Sequence, residues 1–161
     1  MTGWIARLWG RAAPILSPAS AADASSFAAL HGESFRRGWT REEFEQLLLD
    51  RHVAAHRALL GDRLIGLILS RWAADEAEIL SVAVAPPRRS RGIGGALLRL
   101  HLQRLAGLGV HHVFLEVEDD NVPARRLYEH AGFLEVGQRE SYFAPARGVA
   151  ARARVLRRDL A

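Results

Sequence analysis

The sequence predicts a mixed-sheet α/β domain with a central sheet of about seven strands flanked by four helices. Three observations lead there. Apolar positions switch repeatedly between a spacing of two and a spacing of three to four, giving the order β-α-α-β-β-β-α-β-α-β-β. A β-branched, nearly all-apolar run, Ile79–Val84, is closed by Pro86-Pro87 and followed by a glycine-rich turn and a long helix. That pattern reads as a central strand covered on both faces and followed by a crossover helix. Finally, 161 residues, 49% hydrophobic and 25% charged, suffice for one substantial core and fit neither a disordered nor a fibrous chain.

Each element has its own signal. Residues 1–13 are read as an N-terminal extension and 14–161 as a single domain. Trp4, Ile5, Leu8 and Trp9 form a short apolar stripe, but Pro14 interrupts it before a signal-peptide core develops. Pro14–Pro18 reads as an edge strand. Ser20 with Asp23 makes a capping box for a helix carrying Phe27, Leu30 and Phe35, stopped by Gly38; Thr40 with Glu43 opens the next, with Phe44, Leu47 and Leu48 on one face. Ala55–Leu60 and Leu64–Trp72 flank Gly61-Asp62, a hairpin turn, and Ala73–Asp75 turns the chain again into Glu78–Val84. The helix from Ile93 to about Ala106 ends at Gly107 and Gly109. Strand Val110–Val117, a short helix Pro123–Ala131 stopped by Gly132, and strands Phe133–Arg139 and Arg152–Leu160 complete the order.

Composition narrows the function. Zero cysteines exclude a disulfide framework, an iron–sulfur cluster and a thiolate nucleophile. All 22 basic residues are arginine, which removes lysine as a Schiff base or Walker-type phosphate ligand. Net charge is only +4, too little to require nucleic acid. No run approaches the ~18 apolar residues of a membrane span, and a cytoplasmic location is expected. His111 and His112 are adjacent on a strand and face opposite sides, the other histidines lack ligand spacing, and Asp119-Asp120-Asn121 lacks the remaining ligands of a cation loop, so no metal is expected. Arg125-Arg126 and Arg157-Arg158 read as solvated faces.

Two constellations carry chemistry. Arg89-Ser90-Arg91-Gly92-Ile93-Gly94-Gly95 lies between a strand and a helix N-terminus. Free N–H groups of the first helical turn, backed by the helix dipole, make a diphosphate cradle there; the same glycines also serve tight helix–strand packing. The spacing is neither G-x-x-x-x-G-K-[S/T] nor G-x-G-x-x-G. The second constellation is Glu116, a carboxylate inside an apolar strand and on the face of Phe114, opposite Val113, Leu115 and Val117. Such a glutamate is paired, edge-exposed or functional. Twelve residues on, Tyr128 sits on a short helix, where it can pack with Leu127 and Phe133 or act chemically.

Arg89-x-x-Gly92-x-Gly94 resembles the R/Q-x-x-G-x-G/A signature of the GNAT N-acetyltransferases, and Ile79–Pro86 is similar to that family's fourth strand. Leu115–Phe133, LEVEDDNVPARRLYEHAGF, resembles the L-E-V-x-x-x-N-x-x-A-x-x-L-Y-x-x-x-G-F segment of its RimI type, the ribosomal-protein-alanine N-acetyltransferases. The resemblance implies acetyl-CoA as co-substrate. Its diphosphate would be bound by Arg89 and by the amides of Arg91, Gly92, Ile93, Gly94 and Gly95; its pantetheine would pair with main-chain groups of Val82 and Val84, and Asn121 would complete the cofactor site. By the same resemblance Glu116 is the general base and Tyr128 the general acid, and the amine attacks the thioester directly in a ternary complex. Trp39 and Tyr142 are the implied groove residues for an acceptor, a protein N-terminus and foremost an alanine on a small-subunit ribosomal protein. One departure is visible: Gly148 is followed by Val149-Ala150-Ala151, where RimI-type chains carry an acidic residue. Alternative acceptors are a small-molecule amine or a lysine side chain. A non-enzymatic RNA- or ribosome-binding module is the alternative of another class, although no direct nucleic-acid contact is expected.

Overall fold

The structure is a computed structural model and describes residues 13–140 and 152–160. Its elements are β1 (Ile15–Pro18), a 3₁₀ turn (Ala21–Asp23) leading into α1 (Ala24–Ser34), α2 (Arg41–Leu49), β2 (Val53–Leu60), β3 (Arg63–Ala73), β4 (Glu76–Val84), α3 (Ile93–Gly107), β5 (His112–Glu118), α4 (Val122–His130), β6 (Leu134–Glu140) and β7 (Arg152–Asp159). The strands form one seven-stranded sheet in the order β1-β2-β3-β4-β5-β7-β6. Only β4–β5 is parallel, joined through α3; every other pair is antiparallel. Among the described residues no helix is long and apolar enough to cross a membrane.

Local chemistry explains most boundaries. At α2, Thr40 N–H donates to Glu43 Oε2 at 2.7 Å and Glu43 N–H to Thr40 Oγ1 at 3.1 Å, so two of the four orphan donors are satisfied reciprocally. Before α1, Ser20 N–H donates to Asp23 Oδ2 at 2.9 Å. Gly61, at φ +61°, makes the two-residue β2–β3 turn with Asp62. α3 ends where Gly109, at φ +89°, lets Val110 N–H reach back to Leu105 O at 3.0 Å. That bond keeps Val110 out of the next strand, which starts two residues later than its apolar run suggests.

Two expectations are corrected. α1 ends at Ser34, not at Gly38. The chain turns extended at Phe35 so that the Phe35 and Trp39 rings stack on His31, at centroid distances of 4.2 and 4.7 Å. Gly38 instead permits close approach, because a Cβ there would lie 2.9 Å from the Gly32 Cα. And β4 is covered fully on one face only: Ile79, Ser81 and Ala83 are buried, whereas Leu80, Val82 and Val84 are half-buried.

The sheet parts in its middle. β4 pairs with β5 only through Glu76↔His112, Ala77↔Val113 and Glu78↔Phe114. Directly beyond Glu78 the β3–β4 register slips, with Leu69 opposite Ser81 and Ser70 opposite Ile79, so Leu80 is a bulge residue that bends β4 away from β5. Ile79–Val84 is thus paired with β3 on one edge and, among the described residues, with no strand on the other. α3 packs across β2, β3 and β4, closely at Gly66, where a Cβ would meet Leu97 Cδ1 at 2.8 Å and Ala58 and Ile93 at 3.3 Å.

Candidate active site

The wedge between β4 and β5 is the natural ligand position, since it opens at the carboxyl ends of a parallel pair. Ala85 N–H donates to Ile65 O at 2.8 Å, so Ala85 faces its peptide groups toward β3. Successive residues of a strand alternate in this respect, and with Ile68↔Val82 and Gly66↔Val84 in register, Val82 and Val84 direct their N–H and C=O groups into the wedge. The Val84 carbonyl already accepts from Arg89 Nε; the remaining outward groups, which no strand pairs among the described residues, suit a hydrogen-bonding ligand.

At the mouth, Gly92 caps α3 in the left-handed conformation, φ +80°, and no side chain caps the helix. Among the described residues the first-turn N–H groups of Ile93, Gly94 and Gly95 thus lack a capping side chain and face outward with the dipole behind them. The glycines also pack: a Cβ on Gly94 would touch Leu127 at 3.5 Å and Val84 at 3.7 Å, which bears out the packing reading of this turn. Arg91 is exposed. Arg89 Nε donates to the Val84 carbonyl at 3.1 Å and Nη2 to Ser34 Oγ at 3.3 Å, which places a guanidinium across the wedge. A ligand with amides along its length and a diphosphate at its end matches this arrangement.

Glu116 lies two residues past the last β4–β5 pair, on the exposed face of β5. Arg139 Nη1 donates to its Oε1 at 2.9 Å across β7. Tyr128 is buried on α4, edge-on to Phe133 at 5.8 Å. Burial pushes its hydroxyl up to about 12, so at neutral pH it is a proton donor. Asn121 is the N-cap of α4, its Oδ1 accepting from Ala124 N–H at 3.3 Å, and it fixes the start of the helix that carries Tyr128.

Beside Glu116 is a cleft of about 330 Å³ lined by Arg71, Trp72, Glu76, Glu78, Phe114 and Glu116, among others. A second, of about 420 Å³, is lined by Trp39, Glu43, Gln46, Leu47, Asp50 and Arg71. Trp39 thus stacks on His31 with one part and lines a surface cleft with another. Tyr142 and the segment around Gly148 lie outside the described residues.

Several residues escape the sequence reading. His56 Nδ1 and His101 Nδ1 are 2.8 Å apart in the core, and Ser70 Oγ is 2.6 Å from His101 Nε2. A contact this short between two Nδ1 atoms requires that one donates and the other accepts, and burial lowers both rings. Burial first, and then the His56 ring, pull His101 down to about 3. The three residues join β2, β3 and α3. Arg157 and Arg158 are engaged, not merely solvated: Arg157 Nε donates to Asp159 at 2.7 Å and its guanidinium lies over the Phe114 ring, while Arg158 Nη1 donates to Ala131 O at 2.6 Å. Among the described residues no three His, Asp or Glu side chains converge as metal ligands.

Comparison with known proteins follows the same outline. The model of the acetyltransferase (GNAT) family matches residues 24–133. The chain is 36% identical to the [ribosomal protein bS18]-alanine N-acetyltransferase of Salmonella typhimurium over 87 residues, 54% of this chain and 59% of that protein. It is 37% identical to the mycothiol acetyltransferase of Corynebacterium aurimucosum over 109 residues, 63% of this chain and 35% of that protein. It therefore spans from about a third to about three fifths of the length of these relatives. In structure it is similar to the ribosomal-protein-S18-alanine N-acetyltransferase of Escherichia coli, with a TM-score of 0.84 at 22% identity, covering 92% of this chain and 94% of that one. It is also similar to Arabidopsis thaliana NAA60 solved with acetyl-CoA, with a TM-score of 0.79 at 20% identity, covering 91% and 98%. A parted parallel strand pair, a glycine-capped helix and this match over most of the chain lead to one conclusion: the chain belongs to the GNAT family of acetyltransferases.

Proposed function

We propose that the protein transfers an acetyl group from acetyl-CoA to a primary amine, and that the acceptor is the α-amino group of a protein N-terminus, foremost an alanine on a small-subunit ribosomal protein. The observation that carries this reading is the wedge itself, with main-chain groups of Val82 and Val84 turned into it and Glu116 just past the point of parting. Acetyl-CoA, when bound, supplies an acyl group activated as a thioester. The peptide groups of Val82 and Val84 hold its amide-bearing arm, and the N–H groups from Arg91 to Gly95 hold its diphosphate with Arg89. Asn121, at the start of α4, borders the same site.

Glu116 accepts the proton that keeps the acceptor nitrogen from acting as a nucleophile. An α-amine titrates near ~8 and a lysine near ~10.4, so near pH 7 an α-amine needs far less help to become neutral. Arg139 holds the carboxylate in position. Tyr128, protonated throughout the neutral range, gives its proton to the departing sulfur. Trp39 lines the acceptor's approach, and Tyr142 is assigned there by resemblance. The mycothiol acetyltransferases among the relatives favour a second reading, a small-molecule amine as acceptor on the same machinery.

Mass spectrometry of an alanine-starting peptide incubated with acetyl-CoA and the protein tests the reading. A gain of one acetyl group is expected on the free peptide and none on its Nα-blocked counterpart. Transfer to small amines alone would replace the acceptor. Absence of transfer to any amine would overturn the function.

A further inference from the structure

Among the described residues Arg71 alone lines both clefts on the proposed acceptor side. It lies on β3 opposite Glu78 of β4, which in turn lies opposite Phe114 of β5, two residues before Glu116. Carboxylates surround it: Glu76, Glu78 and Glu116 line one cleft with it, Glu43 and Asp50 the other. Yet among the described residues none of them forms an ion pair with Arg71, whereas Glu116 is paired with Arg139. The exposed guanidinium keeps its fork of donors open between two acidic clefts, one lined by Trp39 and the other by Glu116.

We infer that Arg71 is a specificity-determining residue for the acceptor, hydrogen-bonding the first peptide carbonyls of a chain whose free α-amine lies at Glu116. This rests on the acetyl-acceptor reading above. The walls of both clefts are anionic, which favours a cationic amine and disfavours a carboxylate as Arg71's partner; a neutral carbonyl oxygen accepts from the fork without that repulsion. The Arg71 and Glu116 Cα atoms are separated by two strand spacings and two residues of rise, ~12 Å, and the two side chains span much of that distance. An α-amine carries its own carbonyl two bonds away, within reach of such a pair. A lysine ε-amine is separated from its nearest carbonyl by four further methylenes, and a simple alkylamine has none. The groove thereby distinguishes an N-terminus from other amines by position as well as by charge.

The test compares the wild-type chain with Arg71→Ala and Arg71→Lys, using an alanine-starting tetrapeptide amide, Nα-acetyl-lysine amide and n-butylamine as acceptors. Arg71→Ala is expected to raise KM for the peptide about tenfold, the worth of a charge-assisted hydrogen bond. Its kcat and its KM for acetyl-CoA should stay within about twofold, and the preference for peptide over the other amines should shrink by the same tenfold. Arg71→Lys should restore part of it. An unchanged peptide KM and preference in Arg71→Ala would overturn the assignment, as would a loss of equal size for all three acceptors, which marks a structural role. A wild-type chain that acetylates n-butylamine or the lysine derivative but not the peptide would overturn the N-terminal reading itself, an outcome separable from failure of Arg71 alone.

Discussion

The two halves of the proposed site are built from different materials. On the donor side, the working groups are main-chain: the peptide units of Val82 and Val84 and the first turn of α3 behind Gly92. On the acceptor side they are side chains, Glu116, Arg71 and Trp39, delivered by β5, β3 and the segment between α1 and α2. A backbone site depends on how strands and helix are placed and tolerates changes of side chain, provided the conformation survives. A side-chain site can be altered one residue at a time without disturbing the sheet. Relatives named for a ribosomal protein and for mycothiol are what such a division would allow.

The largest expected effects come from single atoms of the two groups proposed to move protons. Glu116→Gln should lower kcat by about 10²- to 10⁴-fold, the usual contribution of a general base, with acetyl-CoA affinity within about twofold. Tyr128→Phe keeps the ring against Phe133 and should reduce kcat by about 10²-fold with little change in melting temperature. Steady-state kinetics with thermal melts of both variants checks these values. An unchanged kcat for Tyr128→Phe would remove Tyr128 from the chemistry.

The donor side should respond instead to whatever moves α3. The His56–His101–Ser70 contact ties that helix to β2 and β3. His101 titrates near about 3 when folded and near ~6.5 when unfolded, so below pH 6.5 the unfolded chain binds the extra proton. The stability this neutral ring contributes is fully present above pH 6.5 and is lost as pH falls toward 3, about 2 kcal/mol of it by pH 5. Denaturant unfolding at pH 7 and pH 5 should show that loss, and the double variant His56→Leu, His101→Leu should flatten it. A smaller effect is expected at Gly66, where an added methyl has to displace Leu97, Ala58 or Ile93. Gly66→Ala should cost about 1–2 kcal/mol in chemical denaturation and weaken acetyl-CoA binding more than acceptor binding.

The donor half was largely legible in the sequence because its signals are local. Pro86-Pro87, Gly92 and the helix from Ile93 are contiguous. The Glu116–Tyr128 pair was legible too, since it spans one strand, one loop and one helix. Thr40 and Glu43 declared their helix start for the same reason. What stayed hidden depends on long-range pairing. The parting of β4 from β5 rests on a bulge at Leu80 that no local pattern announces. Gly38 looked like a helix stop because its true neighbour, Gly32, is recognisable only once the chain has folded back. His56 and His101 are 45 residues apart, and Arg71 gains its meaning only from two clefts that meet at it.

Calorimetric titration of acetyl-CoA into the wild-type chain, Gly92→Val, Glu116→Gln and Arg71→Ala tests the division most directly. A β-branched residue is strained at the positive φ of Gly92 by about 1–2 kcal/mol, so Gly92→Val should weaken binding about tenfold, while Glu116→Gln and Arg71→Ala bind within about twofold of wild type. Wild-type affinity in Gly92→Val, or a tenfold loss in Glu116→Gln or Arg71→Ala, would contradict a donor site made of backbone and an acceptor site made of side chains.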